Sequence, residues 1–139
     1  MALAALSLFL TALKADASLV ALVGSKESIR YGSLSESRRI PGVYLKGGMT
    51  DTSTPNAGAA STGHRTNDDT ARVSVWASTP ELAQELADRV DEVVLRGLPG
   101  LLGLVRSGGM AADSDPDEPE LWHATATYSY VYRVADSIA

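Results

Sequence analysis

The sequence has no cysteine. That excludes disulfides, thiolate zinc sites and a cysteine nucleophile, and it fits a reducing compartment. It has two histidines, His64 and His123, far apart and in unlike contexts. A zinc site needs more N or S ligands at suitable spacing. Basic residues are in the minority, 12 Lys and Arg against 17 Asp and Glu, for a net charge of −5, so non-specific nucleic-acid binding is disfavoured. No apolar run reaches the ~20 residues of a membrane span; the stretch Ala2–Leu13 is cut short by Lys14 and Asp16. No G-x-S-x-G occurs, so there is no nucleophile elbow. Gly97, Gly100 and Gly103 are three apart, which matches neither the dinucleotide fingerprint nor the P-loop. No nucleophile–base pair or metal set is visible, and neither an enzyme nor a cofactor is expected.

What is present suits one domain. The chain has 139 residues, 45% hydrophobic, enough for one core and too few for two. The most definite stretch is Ala71–Arg96. Val73 and Val75 alternate with Arg72, Ser74 and Trp76, which is strand period. Thr79 then offers a side-chain acceptor to first-turn amides, and Pro80 stands where a helix needs no donor. Leu82, Leu86, Val90, Val93 and Val94 recur at steps of three and four on one face. Glu85–Arg89 and Glu92–Arg96 are spaced for pairs on the outer face. Gly97 and Pro99 end the helix.

The remaining elements follow from similar signals. Leu3, Leu6, Leu10, Leu13, Ala17 and Val20 keep a helical step, and no Lys or Arg precedes the apolar run. This predicts a packed helix in preference to a secretory signal. Asp16 is placed to start a second short turn through Leu22, with Gly24 as its stop. Ile29 and Tyr31 suggest a short strand within a polar segment. Ile40-Pro41-Gly42 is turn chemistry, and Val43–Leu45 is a strand closed by Gly47-Gly48. Thr50–Thr70 has almost no large apolar residue, so it reads first as a hairpin tip or an arm reaching a neighbouring subunit, and next as a free loop. Leu101–Arg106 reads as a strand ended by Ser107-Gly108-Gly109, and Ala111–Glu120 as an acidic loop. In Leu121–Ala135, Trp122, Ala124, Ala126, Tyr128, Tyr130, Tyr132 and Val134 share one face, and His123, Thr125, Thr127, Ser129 and Arg133 the other. That is a long, half-buried antiparallel strand with its Tyr face on the helices.

Two patterns invite a chemical reading. Asp113, Asp115 and Asp117 resemble the opening of a calcium loop, but the sixth and twelfth positions are Glu118 and Ala124, not Gly and Glu. A solvated acidic turn is expected. Tyr128, Tyr130 and Tyr132 could stack bases, yet Arg133 is their one basic neighbour, so core packing is the better reading. Charge is uneven along the chain. Residues 1–72 carry eight basic and six acidic groups, residues 73–139 four and eleven. That asymmetry is compatible with head-to-tail self-association and also with scattered solvated charge.

Taken in order, Leu13–Gly24 with Ile29-Arg30-Tyr31-Gly32, the segment RIPGVYL (Arg39–Leu45), the strand–helix from Ala71, and TATYSYVYRV (Thr125–Val134) resemble the tail-completion, or tail-terminator, proteins of long-tailed bacteriophages. The loops at Thr50–Thr70 and Ala111–Glu120 are long for that family. The resemblance implies a single-domain α+β fold, an antiparallel β-sheet packed against two main helices, which forms a ring, commonly a hexamer. It implies a virion protein at the head-proximal end of the tail, assembled in the host cytoplasm. Its partners would be the tail tube protein and the head–tail connector or stopper, with DNA passing through the lumen without specific binding and no membrane involved. Candidate subunit-contact residues are Arg38, Arg39, His64, Arg65, Asp68 and Asp69. Candidate lumen-facing residues are Asp113, Asp115, Asp117, Glu118 and Glu120. Another head–tail joining or tail tube role, and a dimeric α+β ligand-binding module, stand as alternatives.

Overall fold

Both parts of the Ala71–Arg96 reading are present in the computed structural model, which describes residues 2–35, 38–47, 64–98, 101–109 and 111–135. The strand is β3 (His64–Ala77) and the helix is α3 (Pro80–Leu95). Thr79 caps α3 by accepting from the Leu82 amide at 3.2 Å. Ala83, Leu86, Ala87, Val90, Val93 and Val94 are buried, while Leu82 is only half-buried. The inward stripe is therefore one position wider than the large apolar residues alone suggest, because the two alanines let the helix sit close to the sheet. Gly97 follows at φ 101°, the left-handed stop expected there.

The chain opens with α1 (Ala2–Ala15) and α2 (Ala17–Val23), which meet at 83°. Asp16 caps α2 through the Leu19 amide, and Gly24 ends it at φ 89°. The bend resets the apolar face. Leu6, Phe9 and Leu13 are buried on α1, then Leu19 and Val23 on α2. Leu10 and Val20 are half-buried and Ala17 is exposed, so the continuous stripe through Ala17 and Val20 is not formed. A single 3-10 turn (Lys26–Ser28) leads into β1 (Ile29–Tyr31).

The strands β2 (Gly42–Gly47), β3, β4 (Leu101–Gly109), β5 (Asp113–Ser114) and β6 (Trp122–Ala135) complete a six-stranded sheet of order β1-β2-β3-β6-β4, with β5 also beside β6. Pairing is antiparallel except between β1 and β2, which run parallel. The sheet is therefore mixed where an antiparallel one was expected. A parallel pair needs a crossover, not a hairpin, and the segment between Tyr31 and Gly42 supplies it. β3 and β6 pair from His64↔Ala135 to Ala77↔Trp122. Residues 64–70, expected in a hairpin tip, arm or loop, are thus strand: continuous pairing with β6 satisfies alternate peptide groups along them, which overrides the polar side chains. The rest of the predicted loop, residues 50–63, lies outside the described residues.

Two further boundaries move. β4 continues through Gly108 and Gly109, with register shifts between Leu102 and Val105 and between Arg106 and Gly108. The acidic loop contains β5, paired at Asp113↔His123 and Ser114↔Trp122. The core lies between the helices and one sheet face. Val43, Leu45, Val73, Val75, Ala77, Ala124, Ala126, Tyr128 and Tyr130 point into it. Phe9 of α1 packs on Tyr128 and Tyr130, at centroid distances of 6.2 and 5.5 Å.

Candidate interaction surface

Alternation along the strands sends the other residues to the face away from the helices. Register arranges them in rows. Arg30, Tyr44, Ser74 and Thr125 form one, Lys46, Arg72 and Thr127 the next. Trp76 and His123 form a third, extended by Asp113. Trp76 and His123 stack with centroids 4.6 Å apart and planes at 23°. The hydroxyls of Ser74 and Thr125 lie 3.2 Å apart. His123 Nδ1 is shielded from solvent and has no hydrogen-bond partner among the described residues.

The β1–β2 crossover folds over part of this face. Tyr44 is 2% exposed, and its hydroxyl accepts from the Arg39 amide at 2.8 Å and donates to the Arg39 carbonyl at 3.3 Å. Glycine is required at position 42, because a Cβ there would collide with the Arg39 carbonyl oxygen. The crossover leaves a recess of about 350 Å³ against Trp76, lined by Ser33, Leu34, Ser35 and Arg38. A second recess of about 160 Å³ adjoins it, with Tyr44, Lys46, Arg72 and Ser74 in its lining.

The candidate residues fall into two places. Arg38 makes a two-point pair with Glu118, Nη1 to Oε1 at 3.1 Å and Nη2 to Oε2 at 2.6 Å. This brings a residue expected at a subunit contact onto one expected in the lumen. The Arg38 guanidinium holds the Glu118 carboxyl below the usual carboxylate range, and Glu118 raises Arg38 in return. Arg39 pairs with Glu27 at 3.5 Å. The acidic segment is a built turn. The Asp113 carboxylate accepts from the Ser114 amide at 2.9 Å and that of Asp115 from the Asp117 amide at 3.2 Å. The Asp115 and Leu121 amides donate to the carbonyls of Leu121 and Glu118, at 2.8 and 2.9 Å. Glu120 is exposed. No group of three or more His, Asp or Glu set to hold a metal occurs among the described residues.

His64, Arg65, Asp68 and Asp69 lie elsewhere. They pair in register with Ala135, Val134, Val131 and Tyr130, at the far end of a 14-residue strand. That is roughly 25 to 45 Å of strand from the Arg38–Glu118 end. The expected contact set therefore does not form one patch. Sequence reasoning passed over Lys46 and Trp76 as surface residues. The alternation of Arg72, Ser74 and Trp76 was the available signal, but their placement beside Lys46 and His123 depends on register between strands.

No family model matches the sequence, and no curated protein matches it. The fold does have a counterpart. One chain of a structure described as the virion of a native gene transfer agent (GTA) particle superposes with a TM-score of 0.63, over 91% of this chain and 92% of that chain, at 19% identity. The two share an α+β fold nearly end to end.

Proposed function

We propose that the chain is a structural protein of a phage-like virion, and within it a tail-terminator subunit. The observation that carries this is the fold match across nine-tenths of both chains to a component of a virion particle. The segments that resemble tail-completion proteins support the finer role, since they include α2, β2, the β3–α3 unit and β6. In this reading copies associate head-to-tail into a ring, commonly of six, that caps the tail tube and joins it to the head connector. A heterologous interface closes into a ring when its rotation permits. The exposed edge strand β4, with Val105 55% exposed, is available for contacts with a neighbour. DNA passes through the lumen without specific recognition. Deleting the gene from its particle tests this. Tails of uncontrolled length, or heads without joined tails, are expected, and cryo-EM of the neck should show the chain as a ring. Normal particles without the chain would refute it.

A further inference from the structure

We propose that the recess over Lys46, Arg72 and Trp76 is the seat for the acidic loop Asp113–Glu120 of a second copy of this chain. The inference rests on the ring reading and names its two contact surfaces.

Lys46 and Arg72 are register partners on adjacent antiparallel strands, so their side chains rise from one face with Cβ atoms about 5 Å apart. Like charges in that position repel and destabilise the pair. Both are exposed, and neither has an ion-pair partner among the described residues. By contrast Arg38, Arg39, Arg89, Arg96 and Arg106 each hold a carboxylate. An external carboxylate would relieve the repulsion at Lys46 and Arg72.

The shape of the recess fits the same ligand. The part beside Lys46 and Arg72 measures about 160 Å³ and is floored by Tyr44 and Ser74, room for one acidic side chain. The part against Trp76 and Leu34 measures about 350 Å³ and suits an apolar ring. The loop carries that alternation twice, as Asp115-Pro116-Asp117 and Glu118-Pro119-Glu120. Pro116, Asp117, Pro119 and Glu120 are exposed. The turn is already ordered by its own hydrogen bonds and by Arg38, so little entropy remains to be lost on docking. Within one subunit the loop is fastened to β6 on the side away from β3, and it makes no pair with Lys46 or Arg72. The same subunit's loop borders the wider part of the recess through Glu118 on Arg38, while Lys46 and Arg72 are left for a neighbour's carboxylates; in the ring reading that contact is head-to-tail. This assigns Asp115, Asp117 and Glu120 to the subunit interface and not to the lumen.

Zero-length carbodiimide coupling of mixed isotope-labelled and unlabelled chains tests the contact directly. An amide between Lys46 of one copy and Asp115, Asp117 or Glu120 of another is expected. In sedimentation velocity, K46E/R72E and D115K/D117K/E120K should each weaken self-association about tenfold or more. The chain carrying both sets should regain it, with circular dichroism confirming that each variant is folded. Self-association unchanged by either reversal, or Lys46 coupling to the α3 carboxylates instead, overturns the seat and leaves the ring reading standing. A wild-type chain that stays monomeric at every concentration overturns the seat; if it also stays monomeric on tail tubes, the ring reading falls with it. Protection of Lys46 by added duplex DNA in place of a second copy also overturns the proposal.

Discussion

Arg89 grips Asp16 at two points, Nη2 to Oδ1 at 2.6 Å and Nε to Oδ2 at 2.7 Å, while Oδ2 also accepts from the Leu19 amide at 2.9 Å. One carboxylate therefore caps α2 and ties it to α3. The side chains are 11% and 22% exposed, so water screens the pair weakly. Arg89 thus does not take the Glu85 partner its spacing suggested; it takes Asp16, and Glu92 at 3.0 Å.

Asp16 should contribute to stability in a pH-dependent way. Arg89's hydrogen bond, against the opposing effect of burial, holds its carboxyl below the ordinary value. A depressed carboxyl stabilises the fold above its unfolded pKa of about 3.9 and ceases to do so as pH falls through the folded value. Asp16→Asn keeps a cap acceptor and loses the charge. Its melting temperature should fall below wild type at neutral pH, with the gap shrinking below about pH 4. A gap that persists undiminished into strong acid would contradict the assignment. Asp16→Ala should lose the cap as well, about 1 kcal/mol more.

Tyr128 is fully buried and donates its hydroxyl to Asp91 Oδ1 at 3.2 Å, while Arg106 lies 3.5 Å from Asp91 Oδ2. Burial, reinforced by the Asp91 charge, pushes the phenol well above its usual range. A raised phenol stabilises the fold below its unfolded pKa of about 10, and that contribution is lost as pH rises further. Tyr128→Phe should cost about 1 kcal/mol in urea unfolding near neutrality. It should also flatten the alkaline decline seen in wild type.

Gly108 and Gly109 are neighbours with opposite tolerances. A Cβ at Gly109 would meet the Thr125 carbonyl oxygen, and φ there is 84°. One at Gly108 would meet nothing within 4 Å. Gly109→Ala should destabilise by more than about 2 kcal/mol and loosen β4 from β6. Gly108→Ala should stay within about 1 kcal/mol of wild type. Thermal unfolding of the two variants compares them, and equal losses would refute the close approach.

The Arg38–Glu118 pair has side chains 54% and 42% exposed, so its worth lies in placing two segments more than in overall stability. Glu118→Gln should leave the melting temperature essentially unchanged. Hydrogen exchange should rise in residues 33–35, 38–39 and 115–121, and added salt should produce the same increase in wild type. Exchange confined to the substituted residue would argue against the clasp.

Much of this was legible because its causes are local. Thr79-Pro80 starts α3, Asp16 and Gly24 bracket α2, and period two in Leu121–Ala135 marks a strand whose Tyr128 and Tyr130 are buried. The candidate surface was less legible. Arg38 and Glu118 are 80 residues apart, and neither flank signals the other. Residues 64–70 are polar, and only the partner strand makes them β-structure. Arg72 and Trp76 were visible as an alternating face, but not as companions of Lys46 and His123.

Caps, turn residues and hydrophobic period act over a few residues, so the order of the helices and of every strand but the two-residue β5 was determined by the amino-acid sequence alone. Which strands became neighbours, in what direction and in what register, was decided only by tertiary structure, because those choices depend on how one core buries every apolar face at once. That decision placed β1 parallel to β2, set Lys46 opposite Arg72, and turned Arg89 toward Asp16.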